Sequence, residues 1–248
     1  MQAKSSVPIE GQTIIVTGAA QGLGAAVARH LHDQGAKLIL MDRNEARLAE
    51  VRLRCPGAVA AVVDLSDSIA TQHAIDQVVT GPVDTVVHNA AILRVEPLED
   101  VNLVSFQATM NVGIQAGFQL TKAVWPIMQD RGGAMIFVSS RSGIEGFDSE
   151  TAYCASKHGV LAITKTMALE HAADGINVVA ISPGFYKTDL TTPLSSDPVK
   201  NSELLSHVPL NRWGDPEQIG DIAKFLCTDA ASFITGTDIL SDGGWVAQ

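Results

Sequence analysis

No run of about 18 apolar residues occurs anywhere in this 248-residue chain, so nothing in it reads as a membrane span. Cysteine is scarce. Cys55, Cys154 and Cys227 stand far apart and are odd in number. No Cys-x-x-Cys step and no Cys/His ligand spacing accompanies them, so neither a disulfide framework nor a metal site is expected, and buried thiols in a reducing compartment are. Basic residues are in deficit, 17 against 27 acidic, for a formal charge of −10. That balance argues against nucleic acid or an anionic membrane as the main partner and leaves only local basic sites. The opening residues, Met1 to Pro8, are polar and lack an apolar signal core, so a cytoplasmic protein is expected. There is no Pro/Ser/Gly-rich linker, no charge block, no internal repeat and no low-complexity tract. A chain of this length with 46% apolar residues reads as one domain with a full core.

What is present is a rhythm. Thr13 to Thr17 is a β-branched run that stops at Gly18, a buried strand followed by a turn. Helical pattern follows from Gly22 to about Gln34. Further strands are expected at Leu38–Met41, Ala58–Val63, Val83–Val87, Ala134–Val138, Ile176–Ile181 and Asp238–Leu240. Between them, helices are expected over 45–54, 67–79, 103–129 and 216–227, with Pro126 bending the third of these or tightening its last turn, and another bears Tyr153 and Lys157 and extends to about 173. The strands are continuous apolar runs, as when both faces of a sheet are covered. Alternation of this kind predicts an α/β fold with a doubly wound parallel sheet. The expected division is a cofactor half over about 10–135 and a catalytic half over about 136–248. Segment 184–209 breaks the rhythm and is expected to be a long substrate loop or lid.

Three stretches carry chemistry. The first is Thr17-Gly18-Ala19-Ala20-Gln21-Gly22-Leu23-Gly24, glycine-rich, after a strand and opening a helix. Its spacing is G-x-x-x-G-x-G rather than G-x-G-x-x-G. The physics is shared: a tight turn, bare backbone near a pyrophosphate, and a helix N-terminus aimed at the negative charge. The second is Asp42, at the end of the second strand, where a carboxylate accepts ribose hydroxyls and repels a 2′-phosphate. Arg43 could grip such a phosphate, but the glycine loop offers no basic residue, so NAD is favoured over NADP. His88-Asn89-Ala90-Ala91 follows the fourth strand as the expected floor under a cofactor, with His88 read as a satisfied strand-end residue. Asn111 lies inside a predicted helix, where Asn is a poor former; it either binds an active-site water or satisfies a nearby carbonyl.

The third stretch runs from Ser139-Ser140-Arg141-Ser142-Gly143 to Tyr153-Cys154-Ala155-Ser156-Lys157. Tyr153 and Lys157 are four apart, which stacks them on one helix face. Free tyrosine titrates near ~10 and lysine near ~10.4. A fixed cation about 4 Å from the phenol contributes ~4 kcal/mol at an effective dielectric of about 20, roughly three pKa units before desolvation opposes it. The expectation is a phenol brought near neutrality, where general acid–base work is most efficient. Ser140 stands at the C-terminal mouth of a predicted strand, where open parallel sheets bind ligands.

Taken together, Thr17-Gly18-x-x-x-Gly22-x-Gly24, Asp64, Asn89-Ala90, Asn111, Ser140, Tyr153-x-x-x-Lys157, Pro183-Gly184 and the tail Ile234-Thr235-Gly236 through Asp242-Gly243-Gly244 resemble the short-chain dehydrogenase/reductase family over essentially the whole chain. The resemblance implies a Rossmann fold, a nicotinamide dinucleotide cofactor and an Asn–Ser–Tyr–Lys tetrad. Tyr153 would exchange a proton with the substrate oxygen, Ser140 would hydrogen-bond that oxygen, Lys157 would hold the nicotinamide ribose and lower the phenol's pKa, and Asn111 would hold a relay water. Gly18, Gln21, Gly22, Leu23, Gly24, Asp42, Arg43, Asp64, Leu65, Asn89, Ala90, Ala91, Pro183, Gly184, Tyr186 and Thr188, with Tyr153 and Lys157, are the implied cofactor contacts. Asp64 would meet the adenine and Thr188 the carboxamide. The chain departs from the family's Asn-Asn-Ala-Gly at His88 and Ala91, and from its aliphatic residue at Tyr186.

An NAD-dependent alcohol or hydroxy-compound dehydrogenase is the leading expectation. An NADPH-favouring carbonyl or 3-oxoacyl-carrier-protein reductase is the alternative, opposed by Asp42 and the acidic balance, and a non-catalytic cofactor-binding protein is a third. Arg94, Arg141, Ser142, Glu145, Glu150, Tyr186 and His207 lie in segments that border the substrate pocket in this family. Their polar mixture leans toward a small polyol, sugar or hydroxy acid, with Arg94 or Arg141 able to pair with a substrate carboxylate or sulfonate. The family resemblance also implies a homotetramer, with Phe118, Val124, Ile163 and Trp245 as compatible interface residues.

Overall fold

Seven parallel strands form one sheet in the computed structural model, which describes residues 8–247; the polar start, residues 1–7, and residue 248 lie outside the described residues. The strands are β1 (Thr13–Thr17), β2 (Lys37–Asp42), β3 (Val59–Val62), β4 (Thr85–His88), β5 (Gly133–Val138), β6 (Ile176–Pro183) and β7 (Thr237–Ser241), in the order β3-β2-β1-β4-β5-β6-β7. Every predicted strand is present, with no end differing by more than two residues. Helices α1 (Gly22–Asp33), α2 (Glu45–Arg54), α3 (Ser68–Val78), α4 (Leu103–Met110), α5 (Ala116–Met128), α6 (Thr151–His171), α7 (Thr192–Ser195), α8 (Pro198–Ser206) and α9 (Pro216–Leu226) complete the described fold.

The period-two geometry of a strand explains the two cores. In β1, Ile14 and Val16 join a cluster with Val27, Leu31, Leu48, Ile219 and Leu226, from α1, α2 and α9. Ile15, between them, faces the opposite cluster with Ile75, Leu120, Val124, Met128, Val160 and Met167, from α3, α5 and α6. The central strands are therefore apolar on both sides, and removing a side chain such as Phe137, 1% exposed, would cost about 3–5 kcal/mol. The order reverses between β1 and β4. The carboxyl ends of those neighbours open a crevice there, the expected place for a ligand.

Two elements differ from the sequence reading. The predicted helix over 103–129 is broken, but at a π turn, Asn111–Gln115, rather than at Pro126, which sits in α5 two residues before its end. The Asn111 amide donates to the Ser66 carbonyl at 2.8 Å, and a Cβ on Gly113 would stand 2.0 Å from the Ser156 hydroxyl. The wider turn lets the backbone come against α6 where a tight helix would not. The segment read as a long loop carries α7 and α8. Asp197 caps α8 by accepting from Val199 and Lys200, and Pro198 takes its first position.

Candidate functional site

The glycine loop is held from below before any ligand is considered. Gly18 and Gly22 have φ of +64° and +55°, which L side chains rarely adopt. A Cβ on Gly24 would lie 2.1 Å from the Gly18 carbonyl and 2.6 Å from Asn89 Nδ2. Asn89 Nδ2 donates to the Thr17 and Gly18 carbonyls, while the Thr17 hydroxyl oxygen accepts from the Asn89 and Ala90 amides. The loop thus delivers α1 with a free N-terminus: Gln21 at the cap makes no side-chain cap bond, and the first turn holds no acid. Such an end attracts an anion.

Above it lies a groove of about 470 Å³ along the carboxyl ends of the strands. Its walls bring together Gly18, Gln21, Gly22, Leu23, Asp42, Arg43, Asp64, Leu65, Asn89, Ala90, Ala91, Pro183, Gly184, Tyr186 and Thr188 with Ser140, Tyr153 and Lys157. Of the implied cofactor contacts only Gly24 stands outside the walls, packed beneath the loop. Asp42 accepts from the Ala20 amide at 3.0 Å and the Asn44 amide at 2.9 Å. Asp64 accepts from the Ser66 amide, which holds its carboxyl below the usual range. These features fit a dinucleotide: bare backbone and a helix N-terminus for the pyrophosphate, and carboxylates for sugar and base.

At the other end, β5 delivers Ser140 and α6 delivers Tyr153 and Lys157. The Ser140 hydroxyl, which accepts from the Ser142 amide at 3.1 Å, acts to lower the phenol's pKa. Lys157 Nζ donates to the Val138 carbonyl at 2.6 Å and lies 5.6 Å from the Tyr153 ring centroid. The expected phenol near neutrality is not found. Burial pushes Tyr153 up to about 12, while burial pulls Lys157 down to about 7. Desolvation penalises both charged forms and is the first cause of each shift. The group poised near neutral pH is the ammonium.

Tyr186 apart, the remaining candidates are not on the groove walls. Both Asn111 side-chain ends are engaged, Nδ2 on the Ser66 carbonyl and Oδ1 with Gln107 Nε2 at 2.6 Å, so this side chain ties the π turn to the loop after β3. Arg141 is buried among Phe147, Phe185 and Trp245. Its burial lowers its pKa to about 10. Ser142 Oγ donates to Glu150, whose carboxyl burial raises above the ordinary value. Arg94 is half-exposed and pairs with Glu96. Glu145 lies 3.9 Å from Arg141, and His207 stacks near Trp245. Tyr186 reaches the wall, and its hydroxyl is tied to Ser241 Oγ at 2.6 Å. His88 is buried, as read: Thr17 Oγ1 donates to Nδ1, and Nε2 donates toward the Val112 and Gly113 carbonyls.

The sequence reading missed the groove's rim. Asp189, beside Thr188, lines it and pairs with Arg47 on α2; the same Arg47 nitrogen also donates to Gln21 at 2.6 Å. These residues are far apart in sequence, and only the folded chain brings them to one edge.

A family profile described as enoyl-(acyl carrier protein) reductase matches residues 18–246. An L-xylulose reductase from Bos taurus is 33% identical over 241 residues, 96% of this chain and 98% of the relative. This chain belongs to the short-chain dehydrogenase/reductase family. A 3-oxoacyl-[acyl-carrier-protein] reductase from Thermotoga maritima is 36% identical over 246 residues, covering 96% of this chain and 99% of that one. A crystal structure assigned to an NAD(P)-dependent gluconate 5-dehydrogenase from Beutenbergia cavernae, with NADP bound, superposes with a TM-score of 0.90 at 31% identity, over 98% of this chain and all of the other. This member of the family is an oxidoreductase that uses a nicotinamide dinucleotide to interconvert a hydroxyl and a carbonyl group.

Proposed function

We propose that the protein is a cytoplasmic, NAD-preferring dehydrogenase of small polyols or sugars, working as a homotetramer on a secondary alcohol and its ketone. One observation carries the reading: a single groove has Ser140, Tyr153 and Lys157 at one end and Asp42 at the other. Asp42 favours NAD because a carboxylate at this strand end repels a 2′-phosphate and accepts ribose hydroxyls. When bound, the dinucleotide supplies the site that takes up or gives back hydride.

The chain's own residues do the rest. Ser140 Oγ holds the substrate oxygen, and Tyr153 Oη exchanges the proton with it. Lys157, beside the phenol ring, is the partner that gives up its proton near pH 7, so the pair holds one proton fewer above it. Asn111 acts through position, by tying the π turn to the loop after β3. The single domain is read as a cofactor half and a catalytic half. The tetramer is supported by apolar side chains left exposed on α4 and α5, Leu103 at 85%, Val104 at 81% and Phe118 at 49%. Of the other interface candidates, Val124 is core and Trp245 belongs to the cluster around Arg141. Among the described residues no helix is long and apolar enough to cross a membrane.

The test is absorbance of the reduced cofactor with NAD and NADP across polyols, sugars and hydroxy acids, run beside Tyr153→Phe. Turnover by the parent with NAD, lost in the variant while cofactor binding persists, is the expected result. A Tyr153→Phe protein as fast as the parent sinks the mechanism.

A further inference from the structure

A buried cation stands beside Ser140 without entering the groove. Arg141 follows that serine directly, its side chain is 9% exposed, and it does not line the groove walls. We propose that Arg141 is a positioning residue: its guanidinium, gripped by three rings, sets the spacing between the loop that carries Ser140 and the groove wall over 183–186. The inference rests on the dehydrogenase reading above.

The backbone end of the arginine is fixed to the catalytic loop. Ser140 opens a short turn, Arg141–Gly143, in which the Ser142 amide donates to Ser140 Oγ at 3.1 Å and the Gly143 amide to the Ser140 carbonyl at 2.8 Å. A Cβ on Gly143 would lie 2.8 Å from the Lys157 carbonyl, so this turn is pressed onto α6. The guanidinium end is fixed elsewhere. Its carbon lies 3.8 Å from the ring centroid of Phe147, 3.9 Å from that of Phe185 and 4.0 Å from that of Trp245. Phe185 stands between Gly184 and Tyr186, both of them wall residues, and its ring meets that of Trp245 edge-on at 5.4 Å. Trp245 is held in turn by Asp242, which accepts from the Gly244 and Val246 amides.

A flat cation against ring faces is a spacer as well as an attraction. Its charge is not addressed to a substrate. Nη1 has no hydrogen bond, and Glu145 at 3.9 Å, with Glu150 and Asp242, balances the guanidinium. Burial lowers its pKa only to about 10, so it stays ionised at neutral pH and keeps its hold on the rings. Hydride and proton transfer depend steeply on placement, about 1 Å of error costing on the order of 10²-fold. The cage joins Ser140 to the wall near it, while the glycine loop, Asp42 and Asp64 line the groove without touching it. Loss of the arginine should therefore reach turnover and spare dinucleotide binding.

The experiment counts binding sites by NADH fluorescence titration and then measures turnover per site with NAD and xylitol or threitol, for the parent, Arg141→Met and Arg141→Lys. Arg141→Met keeps an unbranched apolar stem among the rings and removes the flat cation. It is expected to lower kcat per site by about tenfold or more while the NADH dissociation constant stays within about threefold of the parent's. Arg141→Lys, which restores the charge without the plane, should recover part of the loss. Phe185→Leu should lower kcat in the same way, and the double variant should lose no more than the worse single one. An arginine that only holds the fold gives fewer NADH sites with parental turnover at each. That result overturns the inference and leaves the dehydrogenase reading intact, and so does a fully additive loss in the double variant. Should Arg141→Met fail to fold, Trp245→Leu, which removes one ring and leaves the arginine in place, decides by the same two readouts. A parent that oxidises neither polyol with NAD and does not reduce L-xylulose with NADH sinks both readings together.

Discussion

His88 carries a pH dependence that can be worked from its surroundings. The ring is 2% exposed. Nδ1 accepts from the Thr17 hydroxyl at 3.0 Å, so Nε2 holds the ring proton and donates to the Val112 and Gly113 carbonyls at 3.1 and 3.3 Å. A Cβ on Gly117 would approach His88 Cδ2 to 2.8 Å, so the space beside the ring is shaped by that glycine. Burial, helped by the charge of Lys157, lowers its pKa from 6.5 to about 4, against the opposing pull of the two carbonyls. The folded pKa lies below the unfolded one, so the unfolded chain binds a proton here that the native chain refuses. Stability is then present in full above pH 6.5 and drains as pH falls toward 4. The whole window is worth about 3 kcal/mol, and about 2 kcal/mol is gone by pH 5. The assay is urea denaturation at pH 7.5 and pH 5, at fixed protein concentration, for the parent and His88→Asn. The variant pays a constant penalty for lost contacts, but its penalty does not titrate. The parent should lose about 2 kcal/mol more than the variant between the two pH values. Parallel losses would refute a neutral, buried His88.

Alcohol oxidation needs the Tyr153–Lys157 pair to have lost one proton, so kcat/KM for oxidation should rise through about pH 7 and that for reduction should fall; Lys157→Met should push the limb toward the phenol's own range, as stopped assays across pH would record. Gly24→Ala places a methyl 2.1 Å from the Gly18 carbonyl and should lower the melting temperature and abolish dinucleotide binding together, measured by thermal shift with and without NAD. Asp42→Ser removes the charge that opposes a 2′-phosphate and should raise the NADP-to-NAD ratio of kcat/KM by at least tenfold. Arg47→Ala frees Asp189 and Gln21 at the groove rim and should speed NAD release a few-fold without changing melting temperature by more than about 1 °C, since exposed ion pairs contribute about 0–1 kcal/mol.

The parts of the fold legible in the sequence are those whose signal is local. A strand covered on both faces must be a continuous apolar run, and Ile14 to Val16, Leu38 to Met41 and Met135 to Val138 are such runs. The glycine loop was equally plain, because positive φ at Gly18 and Gly22 and the close approach at Gly24 each demand the smallest residue. Helix α8 was missed for a related reason. It buries no residue, so it has no apolar stripe to betray it, and its only signature was the Asp197-Pro198 cap. The π turn was missed because its cause is distant: Ser66 and Ser156 meet residues 111–113 only after the chain has folded.

The same division explains the error at the catalytic end. Spacing alone placed Tyr153 and Lys157 on one face, and that is a local fact. Whether the phenol or the ammonium carries the perturbed proton depends on how much water the site retains, which is settled by every element that closes over it. Coulomb attraction between two groups four residues apart can be estimated from the sequence; the desolvation that opposes it cannot. Arg141 makes the point again. As a loop residue beside Ser140 it read as a free cation for a substrate anion, yet Phe147, Phe185 and Trp245, drawn from three separate stretches, close on it. A charge enclosed by rings is a structural tie between the catalytic loop, the segment after β6 and the C-terminal turn.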